Sequence, residues 1–262
     1  MKHLISIFLI LCTLFNVNAQ SASELCETGR KAFAIGNFEE AKAYLTKAAN
    51  MGDAKACGLL GLGYMSGCFE SGRDLRSALQ WATKGYSNSM LNPEPTCMGV
   101  LGMLGTATAE SKKEWIENLP YLEHAYAHGF SPSNIGNLIS VCYLLKGDKE
   151  KAAEWAKKIQ DVEKDEEDKD QYYMASAILS KIYLDKKDYS NALATARDAA
   201  VEGNPIAQYV MGRCQIKMDI FPEVGKRRVR EAALYEYSPL VDINAFDEEI
   251  QKYYNSIKDK KF

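Results

Sequence analysis

Apolar residues recur along this chain three and four apart, the spacing of one buried face on a helix, with polar residues filling the positions between them. They come in paired blocks. A first apolar block carries a small residue at its centre; after a turn, a second block ends in a small pair and often in glycine. "GNFEEAKAYLTKAANMG" (Gly36 to Gly52), "GDKEKAAEWAKKI" (Gly147 to Ile159) and "KDYSNALATARDAAVEG" (Lys187 to Gly203) are the clearest second blocks. The central small residues of the first blocks are Gly29, Gly61, Gly102, Ser140, Ser180 and Gly212, spaced 32, 41, 38, 40 and 32 residues apart. The second blocks are anchored in parallel at Ala41, Ala78, Asn118, Ala152 and Ala192. Self-similarity at this period predicts six helical hairpins with no room for strands. One hairpin cannot bury its own apolar faces, so successive hairpins are expected to stack and share a core. The third unit departs from the pattern: Pro120 sits inside its second block, so that helix must kink or start near Asn118.

The glycine-rich stretch "CGLLGLGYMSG", Cys57 to Gly67, invites a nucleotide reading. A phosphate-binding glycine fingerprint needs a strand before it and a helix opening after it, and this stretch has helical pattern on both sides. The next unit's "GVLGMLG" places Gly99, Gly102 and Gly105 three apart, on one helix face. Each glycine costs a helix about 1 kcal/mol relative to alanine, a cost that close helix packing offsets. These glycines are expected to be packing contacts.

The repeat resembles known families. "GNFEEAKAYLTKA" and "KDYSNALATARDA" resemble second-helix segments of tetratricopeptide repeats. "GDAKACGLLGLGYMSGCFESGRDLRSALQWATKG" is similar to the longer-looped Sel-one-like repeat: Leu60, Gly61, Tyr64, Gly67, Asp74 and Ala78 fill its Leu-Gly-x-x-Tyr-x-x-Gly core and later Asp-x-x-x-Ala. The resemblance spans residues 22–235. It implies an all-α, right-handed solenoid of about six stacked hairpins, its first helices lining a concave face. The leading expectation is a protein-interaction module without catalytic activity; the alternative is a cell-wall or glycan-associated protein with a minor hydrolytic role. In tetratricopeptide domains the groove is lined by first-helix positions three before, one after and four after the central small residue. That geometry, carried over, gives Leu62, Met65, Met103, Asn137, Lys181, Tyr209 and Arg213 among the candidate ligand contacts. Asn137, Lys181 and Arg213 are spread over three units, too dispersed to clamp a free carboxylate. An apolar floor suits an amphipathic helix or an extended apolar segment of a protein partner.

Residues 1–19 read as a signal peptide: a lysine, an apolar run from Leu4 to Val17, and Val-x-Ala before Gln20. Residues 20–238 hold the repeats. Residues 239–262, with Asn244 as a cap and Phe246, Ile250, Tyr253, Tyr254 and Ile257 on an apolar side, read as a terminal capping helix. The expected location is therefore the periplasm or outside the cell, with a partner in the envelope or beyond it. The leader's apolar run is shorter than the roughly 20 residues a spanning helix needs, and no later stretch is longer. A net charge of −3 gives no basic footprint for nucleic acid, and the cluster "GKRRVRE" (Gly225 to Glu231) reads as a solvated helix face.

Chemistry is sparse. His124 and His128 stand at metal-ligand spacing beside Glu123, but two histidines are not a site and their repeat positions are expected to be exposed. The chain lacks Gly-x-Ser-x-Gly, Ser-x-x-Lys, Ser-Asp-Asn and Lys-Thr-Gly, the signatures of serine hydrolases and lactam-reactive enzymes. No cofactor or metal is expected. Trp81 and Trp155, each three residues after an anchor alanine, are expected to fill the seam between hairpins, with glycan stacking as the second reading. Six cysteines follow the leader: Cys26, Cys57, Cys68, Cys97, Cys142 and Cys214. An oxidising compartment permits disulfides. Cys57 with Cys68 would span about 16 Å along a helix, so only Cys57 with Cys97, on adjacent first helices, is within reach, against the alternative of buried free thiols.

Overall fold

The structure, a computed structural model, describes residues 20–130, 133–163, 169–232 and 240. The expected signal peptide and, apart from Leu240, the expected capping helix lie outside the described residues. Every regular element among the described residues is a helix, and the helices pair into the six expected hairpins. The chain divides into two compact units, residues 1–100 and 101–262.

In the first unit, α1 (Ala22–Ala34) and α2 (Phe38–Asn50) form one hairpin and α3 (Ala54–Ser66) and α4 (Leu75–Asn88) the next; α5 (Pro95–Thr108) opens inside this unit and runs on into the second. Short polar side chains start each of the first four helices. Ser21, Asn37, Asp53 and Asp74 accept from the amides of Glu24, Glu40, Ala56 and Ser77, satisfying donors that a helix leaves unpaired in its first turn. The stops are as local. Gly52 and Gly67, at φ +96° and +74°, adopt the left-handed conformation that reverses the chain and that side chains disfavour. The anchors Ala41 and Ala78 and the motif residue Leu60 are fully buried, and Leu45, Ala56 and Ala82 join them in the core. A methyl group on Gly29 would stand 2.7 Å from Cγ of Leu45. Helix α3 packs against both α1 and α2, so the second hairpin covers the apolar face that the first cannot bury alone.

In the second unit, α5 is followed by α6 (Lys112–Glu117) and α7 (Leu119–Ala127), then by the hairpins α8 (Ser133–Lys146) with α9 (Lys149–Glu163), α10 (Asp170–Asp185) with α11 (Tyr189–Val201), and α12 (Pro205–Lys217) with α13 (Pro222–Ala232). The second helix of the third hairpin is in two pieces, and Asn118 closes one and opens the other. Pro120 lies in the first turn of α7, where its missing N–H costs nothing. The repeat register survives the break, because Gly102 faces Leu122, four residues past the anchor Asn118, as Gly29 faces Leu45, four residues past the anchor Ala41. In the fourth hairpin Ser140 replaces glycine, fully buried, and its hydroxyl donates to the Ala152 carbonyl of the partner helix at 2.6 Å. In the sixth, Gly212 and Gly225 bring two backbones together: a methyl on Gly212 would stand 2.6 Å from the Gly225 carbonyl oxygen. First helices also pack on the next first helix, α8 on α10 and α10 on α12. The acidic run Asp161 to Asp170 begins as the end of α9, and residues 164–168 lie outside the described residues.

Candidate functional site

The seven candidate groove residues separate by burial. Met103, Asn137 and Tyr209 are 6%, 3% and 2% exposed. The transferred geometry placed them in an open groove; the packing closes over them instead. Asn137 donates from its side-chain amide to the Gln171 carbonyl and to Gln171 Oε1, both at 3.0 Å, so it stitches α8 to α10. Met103 Sδ receives the Asn134 amide at 3.6 Å. Lys181 is half-buried and its ammonium pairs with Asp185 at 2.5 Å, one turn on. Arg213 is half-buried on α12. Leu62 and Met65, three apart on α3, stay partly open. They are the apolar members of the set that a partner could reach.

The histidine pair is stacked ring on ring, centroids 4.1 Å apart, with His128 Nδ1 2.8 Å from the His124 carbonyl. Glu123 is engaged elsewhere, accepting from the Tyr143 hydroxyl, and that hydrogen bond pushes the phenol up to about 12. Among the described residues no group of three or more His, Cys, Asp or Glu side chains could hold a metal ion, and no described helix is long and apolar enough to cross a membrane. The "GKRRVRE" cluster is tied down along α13: Lys226 pairs with Glu223 at 3.0 Å, Arg227 reaches Glu231 at 3.8 Å, and Arg228 donates to Gln208 Oε1 at 3.1 Å. Trp155 meets Tyr126 edge to face at 4.7 Å with the Lys158 ammonium 4.7 Å from its ring, and Lys84 lies 4.7 Å from the Trp81 ring. Trp81 packs on the core of the first unit, the seam position expected of it. Trp115, outside the repeat register, meets α8 by accepting the Cys142 thiol on its carbonyl at 3.3 Å.

A feature that sequence reasoning passed over is a cavity of about 630 Å³ between the turns of the first two hairpins. Phe38, Glu39 and Lys42 line one side and Cys68, Phe69 and Glu70 the other. The Glu39 carboxyl is held above its ordinary range by a hydrogen bond with Glu70 and by the charge of that neighbour, and the Lys42 ammonium lies 5.2 Å from the Tyr64 ring and 5.5 Å from the Phe69 ring. The signal in the sequence is a Phe-Glu pair that recurs after 31 residues, at Phe38-Glu39 and Phe69-Glu70. All six cysteines among the described residues are free, and every one but Cys68 is buried.

No family model matches the chain, and no curated protein does. Among solved structures, the crystal structure of a Sel1 repeat protein from Oxalobacter formigenes is similar, with 21% identity over 84% of this chain and 89% of that one and a TM-score of 0.43. It bears the repeat name that Leu60, Gly61, Tyr64 and Gly67 suggest. At that score the likeness adds no argument, and the fold rests on the helices themselves.

Proposed function

We propose that this chain is an exported, non-enzymatic repeat scaffold that binds a protein or peptide segment through first-helix positions. One observation carries the reading: Leu62 and Met65 remain partly exposed on α3 while Ala56, Cys57 and Leu60 of the same helix are 0% exposed. An apolar pair one turn apart, half-open beside a buried seam on the same helix, suits an amphipathic helix or an extended apolar segment, and methionine adapts its shape to such partners. Export is read from the leader over residues 1–19. Glycan binding gains no support from the indoles, since the lysines beside Trp81 and Trp155 compete with a sugar for the same ring faces.

The test compares the chain with its Leu62→Asp/Met65→Asp variant as bait for the cell's own envelope fraction, followed by titration of each recovered partner. Far-ultraviolet circular dichroism confirms that the variant is folded. The expected result is a partner whose affinity falls at least tenfold in the variant, the order of loss when two apolar contacts are removed. Equal affinity in a folded variant refutes the assignment of the surface. A titration with peptidoglycan fragments, followed by tryptophan emission, is expected to show no change.

A further inference from the structure

We propose that Cys57 and Cys97 are the two halves of a disulfide that ties the first helix of the second hairpin to the first helix of the third. Helices α3, α4 and the opening turns of α5 meet in layers. In one layer a methyl on Gly61 would stand 3.2 Å from the Ala78 carbonyl oxygen, 3.3 Å from Cγ1 of Val100 and 3.5 Å from Cβ of Ala82. One turn away along each helix, Cys57, Cys97 and Gly85 occupy the corresponding places, and the roles invert: the second helix supplies the space and the two first helices fill it. A methyl on Gly85 would stand 2.3 Å from Sγ of Cys97 and 2.8 Å from Cβ of Cys57. Both cysteines therefore reach into the same hole, the one left by the missing side chain. Those distances leave Sγ of Cys97 and Cβ of Cys57 no more than about 5 Å apart, against the about 3 Å at which a disulfide holds such a pair of atoms. Gly58 allows the approach, since a methyl there would stand 3.0 Å from the Cys97 amide nitrogen. Rotation about a cysteine χ1 and a small closure of α5 on α3 complete the geometry. Both residues are fully buried, and the Cys97 thiol rests on the Ala54 carbonyl at 3.3 Å.

Cys26 belongs to the same core cluster but is engaged by the Asp53 carboxylate. The oxidant is a disulfide of a dithiol donor or of glutathione. A thiolate of the pair attacks one of its sulfurs, and one donor thiolate leaves. The second cysteine then attacks the mixed disulfide and expels the other, so two electrons pass to the donor and two protons to water. Burial holds the Cys57 thiol up to about 11 and raises that of Cys97 further by the same cause. Thiolate is therefore scarce once the core is closed, and the bond forms during folding. The proposal rests on the export reading only for where the chain meets its oxidant.

The experiment unfolds the full chain and refolds it in parallel with a glutathione redox buffer and with dithiothreitol. Free thiols are alkylated and the products mapped by non-reducing peptide mass spectrometry. The expected product joins Cys57 to Cys97, with two fewer alkylated thiols than the reduced chain. Its Tm is roughly 5–10 °C higher, as for a closed loop of about 40 residues, and the gain disappears with dithiothreitol and in Cys57→Ala and Cys97→Ala. An oxidised chain that keeps all its thiols, or that joins Cys26 to either residue, overturns the proposal. If glutathione closes the bond in the tube while chain recovered from its own cells retains its leader and its free thiols, the geometry stands and the export reading fails.

Discussion

Gly212→Ala is the sharpest test of the claim that close helix packing, and not backbone freedom or a ligand, explains the central small residues. Gly212 is in the middle of α12 with an ordinary helical backbone, so alanine there gains about 1 kcal/mol of helix propensity. The new methyl would stand 2.6 Å from the Gly225 carbonyl oxygen and 2.7 Å from Cγ2 of Val229. The first obstacle is backbone, which cannot rotate aside, so α12 and α13 must separate by about half an ångström or more, enough to forfeit a quarter to a half of each dispersion contact along the seam. Because the obstacle is backbone, the overpacking cost falls in the upper part of the usual range, about 2–3 kcal/mol, and the net is a loss of about 1–2 kcal/mol, or a Tm lower by roughly 3–6 °C. Gly61→Ala is the control. Its methyl would meet its three neighbours at 3.2, 3.3 and 3.5 Å, so the same propensity gain nearly cancels the strain and Tm should stay within about 2 °C. Thermal unfolding followed at 222 nm reads both. If Gly212→Ala melts at or above the unsubstituted chain, close approach is not the reason for glycine at that position.

Two further outcomes are expected. Asp53→Ala removes the hydrogen bond from the Ala56 amide, 2.7 Å long, at the start of α3, and should cost about 1 kcal/mol; Asp53→Asn should restore it, and denaturant titration of the three proteins checks the order. Burial holds the thiol of Cys142 at about 12 and that of Cys214 at about 11, against 9.0 for an ordinary thiol. The folded values lie above the unfolded ones, so the contribution of these thiols is complete below pH 9 and drains away as pH rises toward 11 and 12. The reduced chain should therefore lose Tm between pH 9 and 11 faster than Cys142→Ala/Cys214→Ala, and coincident pH profiles would count against a buried, neutral thiol at both positions.

Much of the fold was legible because its signals are local. The small residue at the centre of each first helix, the anchor on each second helix, and the Asp, Asn and Ser caps are set mainly by contacts and hydrogen bonds within one hairpin, with the next hairpin adding a neighbour such as Val100 beside Gly61. Even the third hairpin obeys: Pro120 predicted a break near Asn118, and the helix divides there while Gly102 and Leu122 keep the register. The cavity was less legible. Its two carboxylates stand 31 residues apart in the chain and become neighbours only through the stacking of one hairpin turn on the next.

The candidate groove shows where sequence stops. A periodic pattern says which side of a helix is apolar, and by itself it determined that this chain is all-helical, that its helices pair in hairpins of 32 to 41 residues, and which small residues sit at the seams. It does not say how closely the next first helix comes. Met103, Asn137 and Tyr209 share a register with Leu62 and Met65, yet the first three are enclosed and the last two are not. The same holds for Cys57 and Cys97, 40 residues apart in sequence, whose meeting in the hole beside Gly85 is a fact of packing. Exposure and proximity are properties of the gap between helices, and that gap is set by the summed bulk of side chains from several hairpins at once, which only the tertiary structure adds up.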